Sequence, residues 1–137
     1  MTPLDRRFPA RPERLCDIRR AVAAAAAALG CSEAVVGDVV LAVDEACQNI
    51  IRHAYHGEDG DIIVRIDGED GDLVVRLVDF APPVDLARLC PRPLDELRPG
   101  GLGIHFIRTV MDRVDFPPPP AGAGNLLRMV KRIEGPP

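Results

Sequence analysis

The stretch Leu41-Ala42-Val43-Asp44-Glu45-Ala46-Cys47-Gln48-Asn49-Ile50-Ile51-Arg52-His53-Ala54-Tyr55 decides how this chain is read. Val36, Val39, Val40, Val43, Ile50 and Ile51 recur at the spacing of one helix face. Ser32 stands where an N-cap belongs, and Gly57, Asp59 and Gly60 form a turn after the apolar run. The pattern predicts a helix over residues 32–55. At about 100° per residue, Glu45 and Asn49 are offset by only about 40° and project to one side, one turn apart. A carboxylate there can accept a proton. An amide oxygen there can ligate a hard cation such as Mg²⁺, which prefers oxygen and keeps several waters. An ordinary solvated helix face, with Gln48 and Arg52 alongside, has the same spacing, so Glu-x-x-x-Asn alone does not decide between the two.

On the N-terminal side, a short extended segment is expected over 4–9, punctuated by Pro9 and Pro12. A helix is expected over 13–29, with Leu15, Ile18, Val22 and Leu29 on one side, and Gly30 is placed to stop it. On the C-terminal side come two alternating runs, 61–67 and 72–79, joined by Gly68-Glu69-Asp70-Gly71 as a hairpin turn. Residues 80–100 carry five prolines, Pro82, Pro83, Pro91, Pro93 and Pro99, and read as a long loop with a short helical turn near 84–89. Loops of that length in compact domains are usually functional. Gly101-Leu102-Gly103 then opens a third helix over 104–112, followed by a short strand at 114–116 and a last strand at 126–132. The order strand, two helices, hairpin, loop, helix, strand predicts an α+β fold, a mixed sheet with helices packed on one face.

Two further places hold chemistry-bearing groups. Asp79 ends a strand and is followed by Phe80-Ala81-Pro82-Pro83. A carboxylate there can accept a hydrogen bond from an exocyclic amine, or can be an ordinary polar strand end. Pro99-Gly100-Gly101-Leu102-Gly103-Ile104 places glycines just before a helix, where backbone N–H groups can approach an anion. It reads equally as a hinge, and it lacks the Gly-Lys-Ser/Thr of a Walker loop.

Composition bounds the reading. The 137 residues suit one domain, 1–137. With 47% hydrophobic but only 4% aromatic residues and no Trp, the core must be aliphatic. A formal net charge of −4 argues against a non-specific nucleic-acid binder, which needs a basic face to displace counterions. Cys16, Cys31, Cys47 and Cys90 form no CxxC pair, so neither a zinc site nor a disulfide framework is expected. The N-terminus leads into no apolar leader segment, and the alanine run 23–28 is too short to span a membrane. A cytoplasmic protein is expected.

Taken in order, helix Glu-x-x-x-Asn, strand-end Asp, long loop and Gly-x-Gly at a helix start resemble the asparagine box and glycine boxes of the GHKL ATPases, the Bergerat two-layer fold. More narrowly, Asp44-Glu45-Ala46-Cys47-Gln48-Asn49-Ile50-Ile51-Arg52-His53-Ala54-Tyr55 and Gly100-Gly101-Leu102-Gly103-Ile104-His105-Phe106-Ile107-Arg108 with Val110-Met111-Asp112 resemble the anti-sigma-factor serine/threonine kinases. That resemblance covers nearly the whole chain. It implies ATP and Mg²⁺ as cofactors. Asn49 would ligate Mg²⁺ and Glu45 would be the general base. Asp79 and Ala81 would lie on the adenine side. Gly100, Gly101, Leu102 and Gly103 would cradle phosphates. Residues 84–100 would be an ATP lid, and Arg98 the candidate to reach the γ-phosphate. It also implies an ATP-dependent kinase that phosphorylates a Ser or Thr of an antagonist protein and sequesters a sigma factor, with a homodimer among its assemblies.

Two positions depart from that pattern. The family's first glycine box reads Asp-x-Gly, whereas Ala81 stands here, adding a Cβ beside the expected adenine and disfavouring φ > 0. Asn125 stands near the point where many members carry a Thr in the last strand beside the adenine, and as an amide it keeps the hydrogen-bonding capacity to contact the nucleotide there. Ala81 favours a second reading, a non-catalytic or weakly nucleotide-binding partner-switching module of the same fold. His53 and His56 have no evident third ligand and read as surface or capping residues. His105 is not placed like a phospho-accepting histidine. Arg14, Arg19 and Arg20 read as a solvated face or a partner surface.

Overall fold

In the computed structural model, residues 1–83 and 99–133 are described. Strand β1 (Leu4–Pro9) leads through a 3-10 turn (Pro12–Arg14) into helix α1 (Leu15–Ala28). Gly30, at φ +89°, ends that helix, a conformation a side chain would strain. Helix α2 (Glu33–Asn49) follows, and Ser32 caps it by accepting the Val35 N–H at 3.2 Å. Such a cap stabilises a helix by about 1 kcal/mol. The helical path continues past Asn49 as a π turn, Ile50–Ala54, in which the Tyr55 N–H reaches back five residues to the Ile50 carbonyl at 2.9 Å. Both Ile50 and Ile51 are thereby buried.

Strands β2 (Asp61–Glu69) and β3 (Asp72–Asp79) form the expected hairpin, with β2 two residues longer than its alternation suggested. Its turn is Asp70-Gly71, both at positive φ. Helix α3 (Pro99–Val110), β4 (Arg113–Asp115) and β5 (Asn125–Arg132) complete the chain. The sheet order is β1-β2-β3-β5-β4.

The α+β architecture with helices on one face is the one expected, with one difference. Every neighbouring pair of strands is antiparallel, so the sheet does not mix directions. β3 and β4, joined through α3, are parallel to each other, but β5 lies between them and pairs antiparallel with both.

Alternation places Ile62, Val64, Ile66, Leu73, Val75, Leu77 and Met129 on the face that meets Ile18, Val22, Val39, Val43 and Ile107 of the helices. Burying each such side chain stabilises the fold by about 1.5–3 kcal/mol. The core is aliphatic, as the composition requires. On the opposite face, buried Asp67 is held by Arg65 at 2.9 Å, Arg76 at 3.1 Å and the Thr2 hydroxyl at 2.5 Å. A buried carboxylate is tolerated when it is so paired.

Two boundaries differ from expectation. Helix α3 begins at Pro99, ahead of the glycines, and ends at Val110. Proline suits a first helical turn, where its missing N–H costs nothing. The helix penalty of Gly100, Gly101 and Gly103, about 1 kcal/mol each, made that turn read as loop. The expected lid therefore overlaps α3 at its last two residues. The rest of it, with Arg98, Cys90 and the helical turn near 84–89, lies outside the described residues. No helix among the described residues is long and apolar enough to cross a membrane.

Candidate nucleotide site

Helix α2 carries Glu45 and Asn49 one turn apart, both partly exposed as residues. The Asn49 amide itself is not exposed. Its Oδ1 and Nδ2 are both buried, and neither has a hydrogen-bond partner among the described residues. An unsatisfied buried amide costs roughly 1–3 kcal/mol, and native folds seldom leave one without a use. A hard oxygen donor held free of protein partners suits a Mg²⁺ ion that takes most of its ligands from water and phosphate. Asn49 therefore fits the ion that the family resemblance implies.

The neighbours of Glu45 on α2 are fixed by their own pairing. Asp44 accepts from Arg19 of α1 at 3.0 Å and from Gln48 at 2.8 Å, and Gln48 in turn accepts from Arg52 at 3.0 Å. These bonds occupy the flanking polar groups and leave Glu45 outside the chain they form. Cys47, on the core side of α2, is fully buried, and burial, followed by the charge of Asp44, pushes its thiol up to about 12.

Asp79 ends β3 and is 4% exposed. Its Oδ1 accepts the Asn125 Nδ2 at 2.8 Å and the Ala81 N–H at 3.1 Å, so neither donor uses Oδ2. Burial raises the Asp79 carboxyl above the ordinary range, and these two hydrogen bonds pull it partly back. Asn125 sits directly across the β3–β5 pair from Asp79 and also donates to the Pro82 carbonyl at 3.2 Å.

Ala81 is buried in the core, and among the described residues only His56 and Asp70 are non-glycine residues at positive φ. Ala81 is therefore not at positive φ. Its carbonyl is approached so closely by Gly124 that a Cβ there would fall 1.7 Å from the Ala81 oxygen, while the Gly124 N–H bonds the Asp79 carbonyl at 2.9 Å.

Gly100, Gly101, Leu102 and Gly103 lie in the opening turns of α3. The first N–H groups of any helix lack intrahelical partners, so this end still offers donors to an anion.

Two residues that the sequence pattern did not single out complete the geometry, Gly124 and Tyr55. The Tyr55 hydroxyl accepts the Phe80 N–H at 2.8 Å, which ties the end of the α2 path to the residue after Asp79. A glycine inside an irregular connector, and an aromatic closing the Glu-x-x-x-Asn helix, were the only signals available in advance. The structure thus joins the Asp79, Ala81 and Asn125 cluster to the path that carries Glu45 and Asn49. A depression of about 760 Å³ on the helix-free sheet face, lined in part by Ile63, Arg65, Asp67, Arg76 and Val78, includes none of the expected site residues.

The family model of the histidine kinase-like ATPase domain matches residues 8–131. The chain is similar to serine-protein kinase RsbW of Bacillus pumilus (strain SAFR-032), 31% identical over 139 residues that cover 93% of this chain and 84% of that protein. It is similar to serine-protein kinase RsbW of Bacillus velezensis (strain DSM 23117 / BGSC 10A6 / LMG 26770 / FZB42), 29% identical over 141 residues, covering 96% and 86%. Among solved structures it is similar to the RsbU and RsbW domains of Rv1364c from Mycobacterium tuberculosis, with a TM-score of 0.62 at 14% identity. That likeness covers 93% of this chain and 32% of the other, and at such identity it speaks for the fold alone.

Proposed function

The chain belongs to the histidine kinase-like ATPase domain family, and on that premise we propose that it is an ATP-dependent serine/threonine protein kinase acting as an anti-sigma factor. Its protein substrate would be a small antagonist, and the second partner a sigma factor. The observation that carries the reading is the Asn49 amide, buried without a partner among the described residues one turn after Glu45. Similarity to proteins named serine-protein kinase RsbW supports the phosphotransfer class.

The residues divide the work by position. Asp79, with Oδ1 already held by Ala81 and Asn125, offers Oδ2 to the exocyclic amine of adenine. The N-terminal turns of α3 present N–H groups to the phosphates. Asn49 Oδ1 would hold Mg²⁺, which would supply positive charge against the phosphates. Glu45 takes the proton of the attacking Ser or Thr hydroxyl as its oxygen bonds to the γ-phosphorus and the bond to the β-phosphate oxygen breaks, releasing ADP. Arg98 is the candidate for contact with the γ-phosphate. Homodimerisation and a cytoplasmic location belong to the same proposal.

Calorimetry tests the nucleotide half. Mg²⁺-ATP should bind, and binding should weaken when Mg²⁺ is withdrawn. Absence of binding at millimolar nucleotide would leave only the non-catalytic partner-binding reading. Recovery of a sigma factor and a small antagonist domain by affinity capture from the native host, altered by ATP, tests the partner half.

A further inference from the structure

Tyr55 is the only tyrosine of the chain, is 9% exposed, and has no role in the chemistry above. Its hydroxyl donates to the Asp61 carbonyl at 2.6 Å and accepts the Phe80 N–H at 2.8 Å. The register gives these two contacts their meaning. The β2–β3 ladder ends at the pair Ile62 and Asp79, so Asp61 and Phe80 are the next residues opposite one another. In a regular antiparallel ladder such facing N–H and C=O groups bond directly. Here the phenol hydroxyl stands between them, and the direct bond is replaced by a bridged one.

The ring is held in that position from two sides. The π turn brings Tyr55 out of the α2 path. Gly60 lies against the ring so closely that a Cβ would fall 2.3 Å from it. The hydroxyl thus acts where β3 stops and the Asp79-Phe80-Ala81 turn begins, one residue after the carboxylate that accepts from Ala81 and Asn125.

We propose that Tyr55 is a positioning residue for base recognition. Its hydroxyl, inserted between Asp61 and Phe80, keeps the end of β3 from zipping onto β2. It thereby sets the Asp79 carboxylate toward the 6-amino group of a bound purine. The inference rests on the reading of Asp79 as the base-recognising group. It adds that the chain's preference for a 6-aminopurine over a purine lacking that amine depends on a phenol hydroxyl that does not touch the base.

The test titrates Mg²⁺-ATP, the Mg²⁺ complex of purine riboside triphosphate (which lacks the exocyclic amine) and Mg²⁺-tripolyphosphate into wild type, Tyr55→Phe and Asp79→Asn. Tyr55→Phe should lose about tenfold of the preference for ATP over the purine analogue, the scale of one well-placed hydrogen bond. Tripolyphosphate affinity should not change. An unchanged preference, or an equal loss for all three ligands, overturns the proposal, the latter by showing a general structural role. Asp79→Asn separates the two levels of the argument. With Oδ1 still held by Ala81 and Asn125, its amide presents NH₂ where a carboxylate oxygen stood. Retention of the ATP preference in that variant overturns the adenine reading itself.

Should Tyr55→Phe fail to fold, 3-fluorotyrosine incorporated throughout labels position 55 alone. Its ¹⁹F resonance should shift on adding Mg²⁺-ADP and stay in place with Mg²⁺-tripolyphosphate. A resonance that ADP does not move overturns the proposal.

Discussion

Asn125 donates its Nδ2 hydrogen to Oδ1 of Asp79 at 2.8 Å across the β3–β5 pair, so the last strand of the chain holds the carboxylate that ends the third. Burial drives that carboxyl toward its neutral form, and Asn125 and the Ala81 N–H oppose it. A group whose folded pKa is raised contributes stability fully present below its unfolded pKa, near the carboxylate reference of 3.8, and lost as pH rises through the folded value. Asp79→Asn, which cannot ionise, should therefore be at least as stable as wild type at neutral pH. The difference in melting temperature should close as pH falls toward 4 (about the carboxylate range). Thermal melts across that range check it. A variant markedly less stable than wild type at pH 7 would contradict the assigned cause.

Asn49 makes the same kind of statement without titration. Replacing its unsatisfied amide by an apolar side chain of similar volume, Asn49→Leu, removes a desolvation cost of about 1–3 kcal/mol. The variant should unfold at equal or higher urea concentration than wild type while losing the Mg²⁺-dependent part of ATP binding. A large destabilisation would mean that the amide is structural.

Gly124 should tolerate no side chain. With a Cβ placed 1.7 Å from the Ala81 carbonyl oxygen, Gly124→Ala must move backbone on both sides of the Asp79 cluster. A loss of about 1–3 kcal/mol is expected, the range for overpacking, measured by the shift of the urea midpoint at unchanged slope. Asp79 and Asn125 lie in the displaced segments, so ATP affinity should fall with it.

Cysteine reactivity offers a check on the packing of α2. Cys47 is fully buried with its thiol pushed up to about 12, whereas Cys16 is exposed. A thiol reagent at pH 8 (near the ordinary cysteine range of about 8.5) should modify Cys16 in the native protein and Cys47 only on unfolding. Rapid native modification of Cys47, read by peptide mass, would show that α2 is not seated as described.

Much of this was legible from residue pattern. Ser32 and Gly30 marked the α1–α2 boundary because capping and positive φ are local chemistry that only a few residue types serve. The β2–β3 hairpin was legible because strict alternation sorts Ile62, Val64 and Ile66 from their neighbours. The resemblance sets Asp79 and Asn125 each beside the adenine, but the bond between them was not legible, since 46 residues separate them and no local rule connects them. The π turn at Ile50–Ala54 was not legible. Its cause is tertiary, the burial of two adjacent isoleucines and the seating of Tyr55 against Gly60. The start of α3 was misplaced because glycine's low helix propensity outweighed a proline suited to a first turn. Gly124 gave no sign because its need is a close approach to Ala81, which a one-dimensional pattern does not contain.

The most direct test of the central claim is single-turnover transfer from γ-labelled ATP to the antagonist recovered from the host, comparing wild type with Glu45→Ala. Wild type should place label on a serine or threonine. Glu45→Ala should retain ATP binding but transfer roughly 10²–10⁴-fold more slowly, the usual contribution of a general base. Transfer by Glu45→Ala at the wild-type rate would contradict the account.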